Sequence, residues 1–194
     1  MSEYLDIIEE RGDFRVRLAY DDSADKPYDD GATPIFTVER SGYGRSVEAF
    51  NSQAEKYVGA VAEILDRHDM ETLARFVKIF YGATKLDTFY SEGIRGHYVA
   101  FDTAEWREEV GAPVEYLKDE YFLSEVRAWA EGEVFGYIVE KRVSYTKAYE
   151  DGRDDVEDAE WEDVDSCWGF YGREWAEQAA IEALNDAIEW AAKK

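Results

Sequence analysis

Residues 150–165 read EDGRDDVEDAEWEDVD, ten carboxylates and one base, Arg153, in sixteen positions. No core can take up such a run, because each unpaired charge would lose its hydration. Whatever this chain folds into must carry the run on its surface. The run is the peak of a wider field, since 45 acids face 22 bases and the formal net charge is −23. Such a field repels nucleic acid, anionic lipid and nucleotides, and attracts basic protein surfaces. It is uneven. Residues 51–100 hold seven acids and six bases, whereas residues 151–194 hold fourteen and four. The near-neutral stretch is expected to form internal scaffold, and the C-terminal half to build the acidic surface.

The remaining composition supports a folded chain. Hydrophobic residues make up 45% and aromatics 15% of 194 positions, with only three prolines. This points to one ordered domain spanning residues 1–194. Phe14, Val16, Leu18 and Tyr20 alternate, and Arg11-Gly12-Asp13 before them is turn chemistry, so a β-hairpin is expected. Residues 21–33 read as a polar loop and Ile35–Val38 as a third strand. Ala54, Tyr57, Val58, Val61, Ile64, Leu65 and His68 recur at helical spacing after Asn51 or Ser52 as cap. Asp69 caps a second helix, Leu73, Phe76, Val77 and Phe80 line its buried face, and Gly82 stops it. Short strands follow over 85–101. Thr103 then caps a helix through Trp106 to Val110, and Lys118–Ala130 reads as another, ended by Gly132. Phe135–Tyr145 is a long strand of β-formers, with Asp163–Phe170 as its expected partner. That places the acidic run on the loop between them. A terminal helix, Arg173–Lys194, shows Ile181, Leu184, Ile188 and Ala191 as its apolar stripe. The mixed order of elements favours α+β, an antiparallel sheet with packed helices.

Cys167 is the only cysteine, so no internal disulfide is expected and a reducing cytoplasm fits. The N-terminal residues lack a basic segment and a long apolar run, and no window is apolar enough for a membrane span.

Four phrases carry a family resemblance. They are Arg75 with Ile79-Phe80-Tyr81-Gly82; Phe101-Asp102 with Trp106-Arg107-Glu108; Gly132 with Val134-Phe135-Gly136-Tyr137-Ile138-Val139-Glu140; and Val164-Asp165-Ser166-Cys167-Trp168-Gly169-Phe170-Tyr171-Gly172. Together they resemble a family of small acidic proteins encoded by phages of actinobacteria. The resemblance implies a phage or prophage context and a bacterial cytoplasm. It brings no catalytic residues.

The candidate site is therefore a partner-binding patch. Its residues in the first half of the run are Glu150, Asp151, Asp154 and Asp155. In the second half they are Glu157, Asp158, Glu160, Trp161, Glu162, Asp163 and Asp165. Trp161 stands apart: a strand would put it on the face opposite Glu160 and Glu162, where it could anchor a partner. A solvated charged loop is the plain alternative. A Ca²⁺ loop does not fit, because Asp151-Gly152-Arg153-Asp154 breaks the alternating oxygen ligands, and the spacing over 21–31 fails as well. Two histidines and one cysteine make a structural zinc site improbable. Neither a metal nor a cofactor is expected.

Other motifs are weaker. Acidic neighbours disfavour a reactive Cys167, which is expected to be a small buried side chain among aromatics. His68 is expected in the core or at a helix C-terminus, and His97 on a strand. Arg11-Gly12-Asp13 matches an integrin tripeptide but reads as a turn. Phe80-Tyr81-Gly82-Ala83-Thr84 with Ser91-Glu92-Gly93-Ile94 faintly resembles the opening of ADP-ribosyltransferase-like folds. Tyr81 stands there in place of a His and Ala83 displaces the Thr. That enzyme reading would need a pocket lined by Tyr81, Thr84 and His97.

The charge also sets a length. Duplex DNA carries a charge per roughly 1.7 Å, so −23 matches roughly 39 Å, or about 11 to 12 base pairs. A compact chain of this length is about 40 Å across. The leading expectation is a non-enzymatic phage accessory protein that binds a basic, DNA-handling host protein, with no direct nucleic-acid or membrane contact. Its sharpest form is a DNA mimic that blocks a restriction or CRISPR effector. The alternative is an acidic structural or interaction protein whose charge serves solubility.

Overall fold

Two four-stranded antiparallel sheets, each with its own helices, make an α+β fold. The computed structural model describes residues 4–27, 33–41, 44–111, 123–147 and 156–193. The strands are β1 (Tyr4–Arg11), β2 (Phe14–Tyr20), β3 (Ile35–Ser41), β4 (Gly44–Ala49), β5 (Leu86–Ser91), β6 (Gly96–Phe101), β7 (Val134–Lys147) and β8 (Val156–Tyr171). The helices are α1 (Val58–Arg67), α2 (Met70–Tyr81), α3 (Ala104–Val110), α4 (Ser124–Ala130) and α5 (Arg173–Ala192), and a 3-10 turn covers Ser52–Tyr57. Two compact units result. One joins Met1–Asp25 to Gly132–Lys194, and the other is Lys26–Glu131.

The inserted unit, Lys26–Glu131, holds the sheet β4-β3-β6-β5. Phe36 and Val38 pack with Val61, Leu65, Leu73 and Val77 of α1 and α2. The alternate residues Ile35, Tyr98 and Ala100 pack with Phe89, Leu123 and Val126. Both faces of this sheet are thus covered, which explains why Ile35, Phe36 and Val38, on opposite faces of β3, are all buried. Capping is as expected at α2, where the Asp69 carboxylate accepts from Thr72 N at 2.9 Å and Gly82 turns left-handed at φ 63°. Asn51 caps the 3-10 turn rather than an α-helix, accepting from Ala54 N. Its amide also accepts from Ile35 N and donates to Thr33 O, tying three segments together. β4 was not foreseen. It completes a hairpin with β3. Glycine is needed at position 96, where a Cβ would lie 2.3 Å from Val38 O.

The second unit holds β1-β2-β7-β8 with α5 on one face. Gly12, at φ 62°, turns the β1–β2 hairpin. Val16, Leu18, Phe135, Tyr137 and Val139 meet Ala176, Ala180, Ala183 and Leu184. The buried stripe of α5 is therefore mostly alanine, displaced from the expected one. Ile181 is only half-buried and Leu184 carries the large contact. Small side chains let the helix backbone lie close to the sheet.

The acidic run corrects the expectation of a loop from residue 156 onward. Val156–Asp165 lie in β8, paired with β7 at every position except Val164. Asp and Glu are poor strand formers, but β7 supplies Lys141, Val143, Tyr145 and Thr146 opposite Glu162, Glu160, Asp158 and Glu157, and the opposite charges of Lys141 and Glu162 favour the ladder. Residues 150–155, including Glu150, Asp151, Asp154 and Asp155, lie outside the described residues, as does the 118–122 part of the helix expected over 118–130. Among the described residues, no helix is long and apolar enough to cross a membrane.

Candidate functional site

Strand lengths create the site. β2 pairs with β7 only from Phe135 to Lys141, whereas β7–β8 pairing continues to Lys147↔Val156. Beyond Lys141 the two strands run on as a ribbon, on which Val143, Ala159 and Trp161 are half-buried and the other side chains described are exposed. β8 is also the edge of its sheet.

Register decides which carboxylates share a face. Val139 packs under α5, so Lys141, Val143 and Tyr145 lie on the same side. Their partners are Asp165 (of Val139), Glu162 (of Lys141), Glu160 (of Val143) and Asp158 (of Tyr145). Simple alternation would send Asp165 to the other face from Glu162. A bulge between Asp163 and Asp165, with Val164 as the extra residue, restores it to the row. Asp158, Glu160, Glu162 and Asp165 therefore form one line on the helix side of the sheet, spaced by about 6.6 Å where strand geometry holds.

The opposite face has a different character. Trp161 lies there with Asp163, away from Glu160 and Glu162 as expected. It is half-covered, because the Arg15 guanidinium sits 4.1 Å from its ring centroid. Arg15 and Arg17 also hold Glu140, at 2.5 and 2.9 Å, and that carboxylate is buried. Trp168 covers Gly136, where a Cβ would be 2.2 Å from the indole. Glu157 is exposed farther along the ribbon.

At its inner end the carboxylate row reaches a cavity of about 290 Å³ between α5 and the sheet. Phe14, Val164, Ala187 and Trp190 give it apolar walls, and Lys141, Asp165 and Asp186 bring charge. Trp190 is 61% exposed. Tyr137 lies beside it. Burial, then the charge and hydrogen bond of Asp165, push the Tyr137 hydroxyl above the ordinary tyrosine pKa, and Cys167 and Asp186 add to this.

Sequence reasoning missed this cavity, whose residues come from opposite ends of the chain. The alanines at 176, 180, 183 and 187, spaced three and four apart, were the available signal for a helix lying close on a sheet.

Cys167 is exposed, not a buried filler, because it stands on the outermost strand opposite Tyr137. His68 ends α1 and is exposed, with its carbonyl accepting from Arg45. His97 is exposed on β6, edge-on to Tyr90 at 5.4 Å. Tyr81 packs against Tyr57 and Phe76. Thr84 donates to Asp102, a fully buried carboxylate that also accepts from Thr84 N, Lys85 N and Arg107. Tyr81 and Thr84 are thus engaged in structural contacts. Among the described residues, no group of three or more His, Cys, Asp and Glu could hold a metal ion.

No protein-family model, curated protein or solved structure matches the chain.

Proposed function

We propose that the protein works by binding a basic surface of another protein, with the β7–β8 ribbon as its docking element. The observation that carries this reading is the row Asp158, Glu160, Glu162, Asp165, aligned on one exposed face by a bulge. A bulge that brings a fourth carboxylate into line is a specific feature of this strand, beyond bulk acidity. The row spacing favours a protein partner over strict mimicry of a duplex. One carboxylate per about 6.6 Å is roughly half the charge density of a single DNA strand, which carries one per 3.4 Å. It matches basic side chains on alternate positions of an extended segment, or four apart on a helix, at about 6 Å.

In the setting implied by the phage resemblance, the partner is a DNA-handling host enzyme in a bacterial cytoplasm. The row would occupy Lys and Arg that otherwise meet phosphates, and binding would block that enzyme. Steering by the wider field would speed association and make affinity fall with salt.

A second reading rests on the position of β8. Edge strands invite pairing with other chains, and charge on the edge prevents it. The acids would then keep β8 from pairing with another copy and serve solubility. The test compares the wild type with Asp158→Asn/Glu160→Gln/Glu162→Gln against a synthetic peptide bearing arginine at alternate positions, by calorimetry at low and high salt. The binding reading expects salt-sensitive binding that the triple variant loses. Equal binding by both proteins would remove the row from function.

A further inference from the structure

We propose that the cavity between α5 and the sheet is an anchor pocket for one arginine side chain of the basic partner. This rests on the reading of the ribbon as a docking element and names what the inner end of the row would grasp.

Size comes first. Small-molecule and cofactor pockets run from roughly 300 to 1,000 Å³, and at about 290 Å³ this cavity lies at the low end, with room for one long side chain. Chemistry narrows the occupant. Phe14, Val164, Ala187 and Trp190 offer apolar contact, which suits an aliphatic stem. The charged residues at the site are Asp165, Asp186 and Lys141, so carboxylates outnumber the ammonium. The occupant's end is therefore cationic. An anionic ligand would meet two carboxylates and the −23 field. A neutral one would strip water from Asp165 and Asp186 and return no counter-charge.

Arginine fits better than lysine. A guanidinium stacks on an indole, pairs with carboxylates in a planar fork and is weakly hydrated. Trp190 presents most of its surface to solvent, and Asp186 reaches the cavity from one turn earlier on the same helix. Lys141 is the resident cation, 5.7 Å from the Phe14 ring centroid, and would compete with an incoming guanidinium. Continuity supports the assignment, because Asp165 belongs both to the carboxylate row and to the cavity wall.

The test titrates N-acetyl-arginine amide into the full-length ¹⁵N-labelled protein and follows the Trp190 indole N–H, assigned with Trp190→Phe. N-acetyl-lysine amide and N-acetyl-norleucine amide are the comparison probes. The arginine probe is expected to give a saturable shift at Trp190, with the lysine probe binding roughly fivefold more weakly. Asp186→Asn weakens arginine binding about fivefold, and Lys141→Gln strengthens it. Glu174→Gln, an exposed change of the same charge at the other end of α5, leaves it unchanged. Asp186 and Trp190 are exposed, so these variants keep the fold. Near-UV circular dichroism checks that.

An equal response to all three probes, no saturable shift, or equal weakening by Asp186→Asn and Glu174→Gln would overturn the proposal. The triple row variant separates the two readings because it leaves Asp165, Asp186 and Trp190 in place. Arginine amide bound normally by that variant, with the alternating peptide lost, assigns the two functions separately. Peptide binding by the wild type without any Trp190 response rejects the pocket and keeps the ribbon.

Discussion

The two sheets have the same strand number and the same antiparallel pairing, yet they treat charge in opposite ways. In the Lys26–Glu131 unit the strands are six or seven residues long and matched, both faces are covered, and the carboxylate of interest, Asp102, is turned fully inward. In the other unit β7 and β8 run to 14 and 16 residues against eight and seven for β1 and β2. The excess length has no sheet to join. It becomes a ribbon, and its carboxylates face water in a row. Matched strand lengths produce a closed core, and mismatched ones produce an exposed arm.

Each unit nonetheless buries one carboxylate held by arginine, and the largest expected effects come from removing it. Asp102 accepts from Arg107, two backbone N–H groups and the Thr84 hydroxyl. Asp102→Ala strands all of these donors and is expected to cost about 3–5 kcal/mol. Glu140 is held by Arg15 and Arg17, which are 16% and 21% exposed. Arg107 is similarly exposed at 18%, but Glu140 is held by arginine side chains rather than by buried backbone N–H groups, and glutamine keeps one acceptor oxygen for them, so Glu140→Gln is expected to cost about 2–3 kcal/mol. Urea unfolding followed by far-UV circular dichroism gives both values. An equal cost for the two would mean that the Thr84 and Lys85 backbone N–H groups held by Asp102 add little to its stabilisation.

Next in size is Gly136→Ala. The added methyl would sit 2.2 Å from the Trp168 ring, so the indole must leave the strand or the strand must shift. Overpacking of this kind costs about 1–3 kcal/mol. Trp168 is already 41% exposed, which places the expected cost at about 1–2 kcal/mol, with a red shift in tryptophan emission. A larger loss without a red shift would show that the backbone yields instead of the ring.

The elements that sequence alone made legible are those with local causes. Asp69 and Gly82 bound α2 because a cap and a left-handed residue act within one turn. Gly12 marks the first hairpin for the same reason. The ribbon was not legible, because low strand propensity over 156–165 is overcome by pairing with β7, a non-local contact. The Val164 bulge is invisible to an alternation rule, which splits Asp165 from Glu162. The cavity was hidden too: Phe14, Asp165 and Asp186 are separated by most of the chain, and only the fold brings them together. Within the acidic run, sequence showed where charge is concentrated, and the register showed which charges act together.

A smaller effect distinguishes the units by pH. Tyr137 in the β1-β2-β7-β8 unit has its pKa raised by burial and then by Asp165, and Tyr98 in the other unit by burial and then by Glu39. A raised pKa means that the native state holds the proton more tightly than the unfolded chain. Stability is then full below the ordinary value near 10 and falls as pH rises through the folded value. Urea midpoints are expected to fall as pH rises above about 10, less steeply in Tyr137→Phe and in Tyr98→Phe. An unchanged slope in Tyr137→Phe would assign the alkaline loss to the other unit.

The smallest expected change in stability belongs to the arm, and it separates the two readings of the acids. Asp158, Glu160 and Glu162 are exposed, so Asp158→Asn/Glu160→Gln/Glu162→Gln should alter stability by no more than about 0.5 kcal/mol. Any gain would reflect relief of repulsion along the row. Its association behaviour carries the information. If the acids mainly guard the β8 edge, neutralising them leaves a long exposed strand whose outward backbone groups can meet another copy, and copies should pair through it. Sedimentation velocity would then show concentration-dependent dimers for the variant but not for the wild type. If the acids mainly dock a basic partner, the variant stays as it was and loses the alternating arginine peptide. Adding an edge proline, Ala159→Pro, isolates the backbone contribution. A proline on the free edge suppresses strand pairing while leaving the carboxylate row charged, so it abolishes any dimer yet spares peptide binding that runs through side chains alone.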